Sequence, residues 1–191
     1  MNLIGLGHIN VVVDNMDSAI SYYTELFNAA PVQSFPHFKN KGFAQSAGFV
    51  DKPEQVDVSI TFLELKGANI FLELMEYHAP KGDVVTRRNK KANDIGGIGH
   101  ICIKVNGIDE LFEHVKRHHD TQLITENPNY KPFQISPIES KEFFFYDEAV
   151  EQDSNEKNKV CDIIASIRYF YFIDKYGIQW EFEQGHTDIG E

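Results

Sequence analysis

The stretch Gly5-Leu6-Gly7-His8-Ile9-Asn10-Val11-Val12-Val13 decides the fold, because Gly97-Ile98-Gly99-His100-Ile101-Cys102-Ile103-Lys104-Val105 repeats its pattern. The same offset pairs His8 with His100, Val11 with Ile103, Val13 with Val105 and Asp17 with Asp109. A repeat kept in register through a strand and into the next helix start marks a duplicated structural unit. Each copy puts a histidine at the same strand position. Alternation sends Ile9, Val11 and Val13 to one face and His8, Asn10 and Val12 to the other; Ile101, Ile103 and Val105 oppose His100, Cys102 and Lys104 in the same way.

Working outward, each strand runs into an amphipathic helix. Asn15 or Asp17 caps the first, with Ile20, Tyr23, Leu26 and Phe27 as its apolar stripe; Ile108, Leu111, Phe112 and Val115 form the stripe of the second. Each unit also closes alike. Val58 to Leu65 and Asn69 to Tyr77 predict two strands joined at Lys66-Gly67-Ala68, and Ile167 to Ile173 and Ile178 to Gln184 predict two more joined at Asp174-Lys175-Tyr176-Gly177. The expected fold is α+β: two tandem β-α-β-β-β modules forming a curved mixed sheet around a metal-binding cleft. The first module takes residues 1–78, a linker 79–96, and the second module 97–191. The linker holds Pro80, Gly82 and the basic run Arg87-Arg88-Asn89-Lys90-Lys91, which is read as a solvated segment. An acidic insertion near 147–159 is read as a solvated loop or lid that need not have regular structure, and Phe143-Phe144-Phe145-Tyr146 before it as a pocket or lid lining or a buried strand.

Composition bounds the partners. With 42% hydrophobic and 13% aromatic residues a packed core is available, and no apolar run approaches the roughly 20 residues that span a bilayer. A net charge of −11 argues against nucleic acid and anionic membranes. Cys102 and Cys161 form no paired motif, and Met1-Asn2-Leu3-Ile4 has no basic segment or long apolar run. Both features lead to the expectation of a cytoplasmic protein without disulfides.

The candidate chemistry lies on the closing strands. Glu73, between Leu72 and Leu74, and Glu181, between Trp180 and Phe182, point away from their apolar neighbours. With His8 and His100 they make four candidate metal ligands at equivalent positions. Two imidazoles and two carboxylates suit Zn, Ni, Co, Mn or Fe as the divalent ion, and leave room for a substrate oxygen on an octahedral centre. Glu73 and Glu181 are also the candidate proton-transfer groups. Glu64 lies in Phe62-Leu63-Glu64-Leu65, a pattern shared with Phe71-Leu72-Glu73-Leu74, and symmetry with Glu181 favours Glu73 over it. Glu76 and Glu183 lie close by in sequence. Cys102 is expected to pack, and His114, His118 and His119 to lie on the surface.

Gly97 to Val105, Phe71-Leu72-Glu73-Leu74-Met75 and Asp174 to Glu181 resemble segments of the vicinal oxygen chelate superfamily, which includes glyoxalase I, methylmalonyl-CoA epimerase, extradiol dioxygenases and fosfomycin or bleomycin resistance proteins. The hairpin departs from the family's frequent Asp-Pro-Asp-Gly, keeping the Asp and the Gly. The resemblance covers Leu6 to Gln184 and is closest to the glyoxalase I and epimerase branches. It implies a metal-dependent isomerase, lyase or epimerase acting on a small molecule, as a homodimer. A ring-cleaving dioxygenase and a non-catalytic antibiotic-binding protein are the alternatives.

Overall fold

In the computed structural model the chain is described over residues 6–83, 91–93 and 97–185. It divides into two compact units, Met1–Thr86 and Arg87–Glu191. Of the basic run, Arg87 to Lys90 lie outside the described residues.

The first unit runs β1 (Ile9–Val12), α1 (Met16–Phe27), β2 (Ala30–Phe38), α2 (Lys41–Ser46), β3 (Asp57–Leu65) and β4 (Ile70–Ala79). Its sheet has the order β1-β4-β3-β2, with β1 parallel to β4 and the other pairs antiparallel. Helix α1 starts at Asn15, whose side chain accepts the Ser18 N–H at 2.9 Å, so Asn15 is the cap and Asp17 sits in the first turn. Its buried face is Ala19, Tyr22, Tyr23 and Leu26. Ile20 and Phe27, expected on the stripe, are half-buried, because the helix is rotated to bring both tyrosines inward. Leu63, Leu65, Leu72, Leu74, Val11 and Val13 are buried from the alternating set that faces away from His8. Val58, Ile60 and Met75 make a second cluster on the other face, with Phe35, Phe38, Phe43, Phe62 and Tyr77 packed on it.

The second unit runs β5 (Ile101–Lys104), α3 (Ile108–Arg117), β6 (Gln122–Leu123), β7 (Phe133–Gln134), α4 (Glu148–Glu151), α5 (Ser154–Ser166), β8 (Arg168–Ile173) and β9 (Gln179–Gln184). Its order is β5-β9-β8-β6, with β7 also on β8, and β5 is again parallel to β9. Where the first unit has the nine-residue β2, the second has two two-residue strands. Trp180, Phe170, Phe172, Phe182 and Phe112 fill its core. The β8–β9 turn is organised by Asp174, which is buried. Its Oδ1 accepts the Tyr176 and Ile178 N–H groups, each at 2.9 Å, and its Oδ2 accepts Trp180 Nε1–H at 2.9 Å. Gly177 takes φ 80°, the left-handed value the turn needs and a side chain resists.

Both helices following a first strand are anchored by the closing strand. The Met16 N–H donates to Glu76 Oε2 at 2.8 Å, and the Ile108 N–H donates to Gln184 Oε1 at 2.9 Å. Glu76 and Gln184 each lie three residues beyond the candidate ligand of their strand. Helix α3 needs the contact more, since its N-cap is Gly107 with no side-chain cap.

The insertion is more regular than its polarity requires. It holds helices α4 and α5 instead of an irregular loop, because Asp147 caps the first through the Ala149 and Val150 N–H groups and Asp153 caps the second through Asn155 N–H. Lys157 fixes the preceding segment. Its Nζ meets Glu151 Oε1 at 2.6 Å and the Phe143 carbonyl at 3.1 Å, and lies 5.0 Å from the centre of the Phe143 ring. Phe143 to Tyr146 is not a buried strand: Phe144 and Tyr146 are exposed.

Candidate metal centre

Both units build the same small constellation on the sheet face turned away from the helix. In the first, His8 immediately precedes β1, and parallel pairing sets Asn10 beside Glu73 on β4. His8 Nε2 lies 3.1 Å from Glu73 Oε2, and Asn10 Nδ2 donates to the same oxygen at 3.0 Å. Phe62, the cross-strand partner of Glu73, holds the imidazole from below at 5.9 Å between ring centres, nearly edge to face. Glu64 pairs with Phe71, two strand positions from Glu73, so His8 meets Glu73 as its carboxylate.

In the second unit His100 precedes β5 and Cys102 is paired with Glu181 on β9. His100 Nε2 lies 2.8 Å from Glu181 Oε2, and Tyr171, the cross-strand partner of Glu181, sits 5.1 Å from the imidazole. In each pair the carboxylate is well covered and the imidazole is open, with side-chain exposures of 15% for Glu73 and 8% for Glu181 against 44% and 40% for His8 and His100. That gradient leaves each ring free to adjust around a fixed acid.

The two copies differ in their electrostatics. Where Asn10 donates to Glu73, the second unit has a thiol, and Glu183 is buried next along the strand. Burial, followed by the charge of Glu183, pushes the Glu181 carboxyl up to about 7; a hydrogen bond from Tyr171 partly offsets this. Cys102 is exposed instead of packed as expected, and partial desolvation with the neighbouring carboxylates Glu181 and Glu183 pushes its thiol up to about 12, so it is neutral at physiological pH and unsuited to nucleophilic work. Burial also raises Tyr171, whose hydroxyl therefore stays protonated and able to donate. Tyr171 and Asn10 were not among the candidate ligands. The signal for Tyr171 was its parity: Tyr169 and Tyr171 alternate with the buried Phe170 and Phe172.

Among the other histidines, His114 and His118 are half-buried and His119 is exposed. No helix among the described residues is long and apolar enough to cross a membrane.

The structure is similar in fold to a glyoxalase family protein from Bacillus cereus, at 16% identity and TM-score 0.62, covering 96% of this chain and 95% of that one. It is similar to the fosfomycin resistance protein FosX of Listeria monocytogenes, at 16% identity and TM-score 0.51 over 97% and 95% of the two chains. A glyoxylase/bleomycin resistance protein/dioxygenase domain from Frankia sp. aligns at 12% identity and TM-score 0.52, over 100% and 96%. No curated protein matches the sequence. The model of the Glyoxalase/Bleomycin resistance protein/Dioxygenase superfamily matches residues 5–132, a span that holds His8, Glu73 and His100. A duplicated strand–helix–hairpin unit, a histidine–glutamate pair in each copy and a family match over most of the chain lead to one conclusion: the protein belongs to the glyoxalase/bleomycin resistance/dioxygenase superfamily.

Proposed function

We propose that the protein is a divalent-metal-dependent enzyme of the glyoxalase type, an isomerase, lyase or epimerase that moves a proton beside a carbonyl of a small-molecule substrate. His8, Glu73, His100 and Glu181 are the proposed ligands. The observation that carries this reading is the repetition of one His–Glu contact, at 3.1 and 2.8 Å, on the first and last strands of both units. Two structural ion pairs have no reason to recur at equivalent positions with covered acids and open imidazoles. Two neutral imidazoles and two carboxylates fit Zn, Ni, Co, Mn or Fe, and the Listeria FosX structure was solved with Mn(II). When bound, such an ion supplies Lewis acidity toward a carbonyl or carboxylate oxygen of the substrate.

The chain's own residues supply the remainder. Glu181, buried beside Glu183, is suited to hold or release a proton at its carboxylate oxygen. Tyr171 orients that carboxylate through its hydroxyl, and Asn10 orients Glu73. Phe62 packs against the imidazole of His8 and keeps water off that side of the ring. Glu73 and Glu181 are therefore the proposed proton-transfer residues.

Elemental analysis of purified protein, before and after chelation and reloading, tests this reading together with His8→Ala, His100→Ala, Glu73→Gln and Glu181→Gln. The expected result is one ion at the His8–Glu73–His100–Glu181 centre, and each of the four variants lowers the metal content by that one equivalent. Retention in Glu73→Gln with loss in the other three leaves two histidines and one carboxylate, the ligand set of a ring-cleaving oxygenase. Failure to load any metal on the wild-type chain overturns the enzyme reading in favour of a small-molecule binding protein.

A further inference from the structure

The first unit carries a second set of metal-ligating side chains on the opposite face of its sheet and at the far end of its strands. His37 Nδ1 lies 3.0 Å from Asp57 Oδ1 and 3.1 Å from Oδ2. The ring of His78 stacks on that of His37 at 4.6 Å between centres and 29° between planes, and one ligand atom from each of His37, Asp57 and His78 falls within 4.8 Å of the other two. Ligands about 2.1 Å from a common ion stand roughly 3 to 4 Å apart, so the rings and the carboxylate close in by up to about 1 to 2 Å to enclose one. From Glu73 to His78 along β4 is roughly 16 Å at about 3.3 Å per residue, so this cluster is distinct from the His8–Glu73 pair.

Two irregularities of the sheet put the histidines there. Between Phe35, opposite Ile60, and Phe38, opposite Val58, β2 has one residue too many, and that excess includes His37. Between Ala79, opposite Asp57, and Tyr77, opposite Val58, β4 likewise has His78 as its extra residue. A bulge re-aims a side chain that regular pairing would leave standing beside its neighbours. Here bulges on the strands either side of β3 aim two imidazoles at the carboxylate between them. His37 holds a left-handed φ of 54°, a conformation uncommon for a residue with a side chain.

Each surrounding group is consistent with an ion site. Burial works against ionisation of Asp57, but hydrogen bonds from His37 and Lys39 outweigh it and hold the carboxyl below its ordinary range, so it is an anion at neutral pH. Lys39 Nζ stands 3.3 Å from Asp57 Oδ2 and, at 62% exposure, can swing into solvent when a doubly charged ion takes its place. Ser59 Oγ bonds His78 Nε2 at 2.8 Å, and Glu76 Oε1 lies 3.6 Å from His78 Nδ1. Ligation takes one of these two nitrogens from its present partner, and the contact left on the other then fixes the ring as the outer groups of metal sites do. His37 is 64% exposed, which leaves coordination positions open to water.

We propose that His37, Asp57 and His78 form a second divalent-metal site, selective for imidazole-preferring ions of the zinc class, that clips the ends of β2, β3 and β4 together. It stands independently of the function proposed above. The test is equilibrium dialysis of metal-stripped full-length protein against Zn(II), with folding followed by circular dichroism. In a His8→Ala/His100→Ala background one equivalent of Zn(II) is expected to remain. Adding His37→Ala, Asp57→Asn or His78→Ala is expected to weaken that equivalent at least about tenfold. Exposed His37 removes no core packing, so that variant stays folded and informative. Absence of Zn(II) binding in the background double variant, or binding unchanged by all three further substitutions, overturns the site. A wild-type chain whose zinc responds to His37 and His78 but not to His8 and His100 overturns the proposed function and leaves this inference standing.

Discussion

Asp174 offers a measurement in which the perturbed bond contains its own reporter. Its carboxylate accepts three hydrogen bonds, from Tyr176 N–H, Ile178 N–H and the buried Trp180 Nε1–H. Asp174→Ala strands all three donors. The indole, fully buried, loses about 2 kcal/mol, and the two partly buried amides, which water reaches, about 1 kcal/mol each. The total, about 4 kcal/mol, is a large share of the roughly 5–15 kcal/mol that holds a domain together. Asp174→Asn separates charge and acceptor geometry from bulk. An amide of the same shape can serve the two backbone donors or the indole, but its own N–H₂ then faces the donor left over, for a cost of about 2 kcal/mol. Trp180 is the chain's single tryptophan, so urea unfolding followed by its fluorescence reports the second unit. An Asn variant within about 0.5 kcal/mol of wild type would refute the reasoning, since it would mean that the indole bond contributes nothing net.

The remaining predictions concern the candidate metal centre and the helix anchors. In chelated protein, the Glu181 carboxyl sits at about 7 instead of its ordinary 4.5, so the unfolded chain releases its proton first as pH rises. The unfolded state then binds fewer protons, and stability falls between about pH 4.5 and 7 by up to about 3 kcal/mol. Glu181→Gln should remove that loss, gaining on wild type at pH 8 relative to pH 5 in urea titrations; parallel pH profiles would contradict the burial argument. Gln184→Ala deprives the Ile108 N–H of its acceptor and should cost about 1 to 2 kcal/mol. Gln184→Glu copies Glu76 in the first unit and should be neutral or stabilising by about 0.5 kcal/mol, because a carboxylate favours a helix N-terminus; thermal melts of the two variants side by side decide this.

The fold was legible where chemistry repeats at fixed spacing. Two Gly-x-Gly-His starts, two apolar helical stripes and two closing hairpins led to an α+β chain, and alternation alone set Glu73 and Glu181 on the face opposite the helices. Other features depended on contacts distant in sequence. The insertion was read by its polarity, yet Asp147 and Asp153 start helices there, and the second runs on into Val160, Ile163 and Ile164, which are half-buried. Periodicity shows a strand but not its register slips, so the bulges at His37 and His78 gave no signal. Helix α1 rotated toward Tyr22 because two aromatic rings bury more area than Ile20.

The parallel pairing of β1 with β4 also orders events during synthesis. Asn10 and Glu73 are 63 residues apart, and at roughly 5–20 residues per second the ribosome emits the imidazole strand several seconds before its carboxylate. In that interval β1 has no strand to join, since among the described residues its one neighbour in the sheet is the last one made. Four residues long, it is a poor template for other nascent chains. The emerging β4 then closes the sheet, anchors the start of α1 through Glu76 and delivers Glu73 to His8 at once. A nascent chain halted after Leu65 therefore holds a histidine without its acid, and the second unit repeats the same wait for β9.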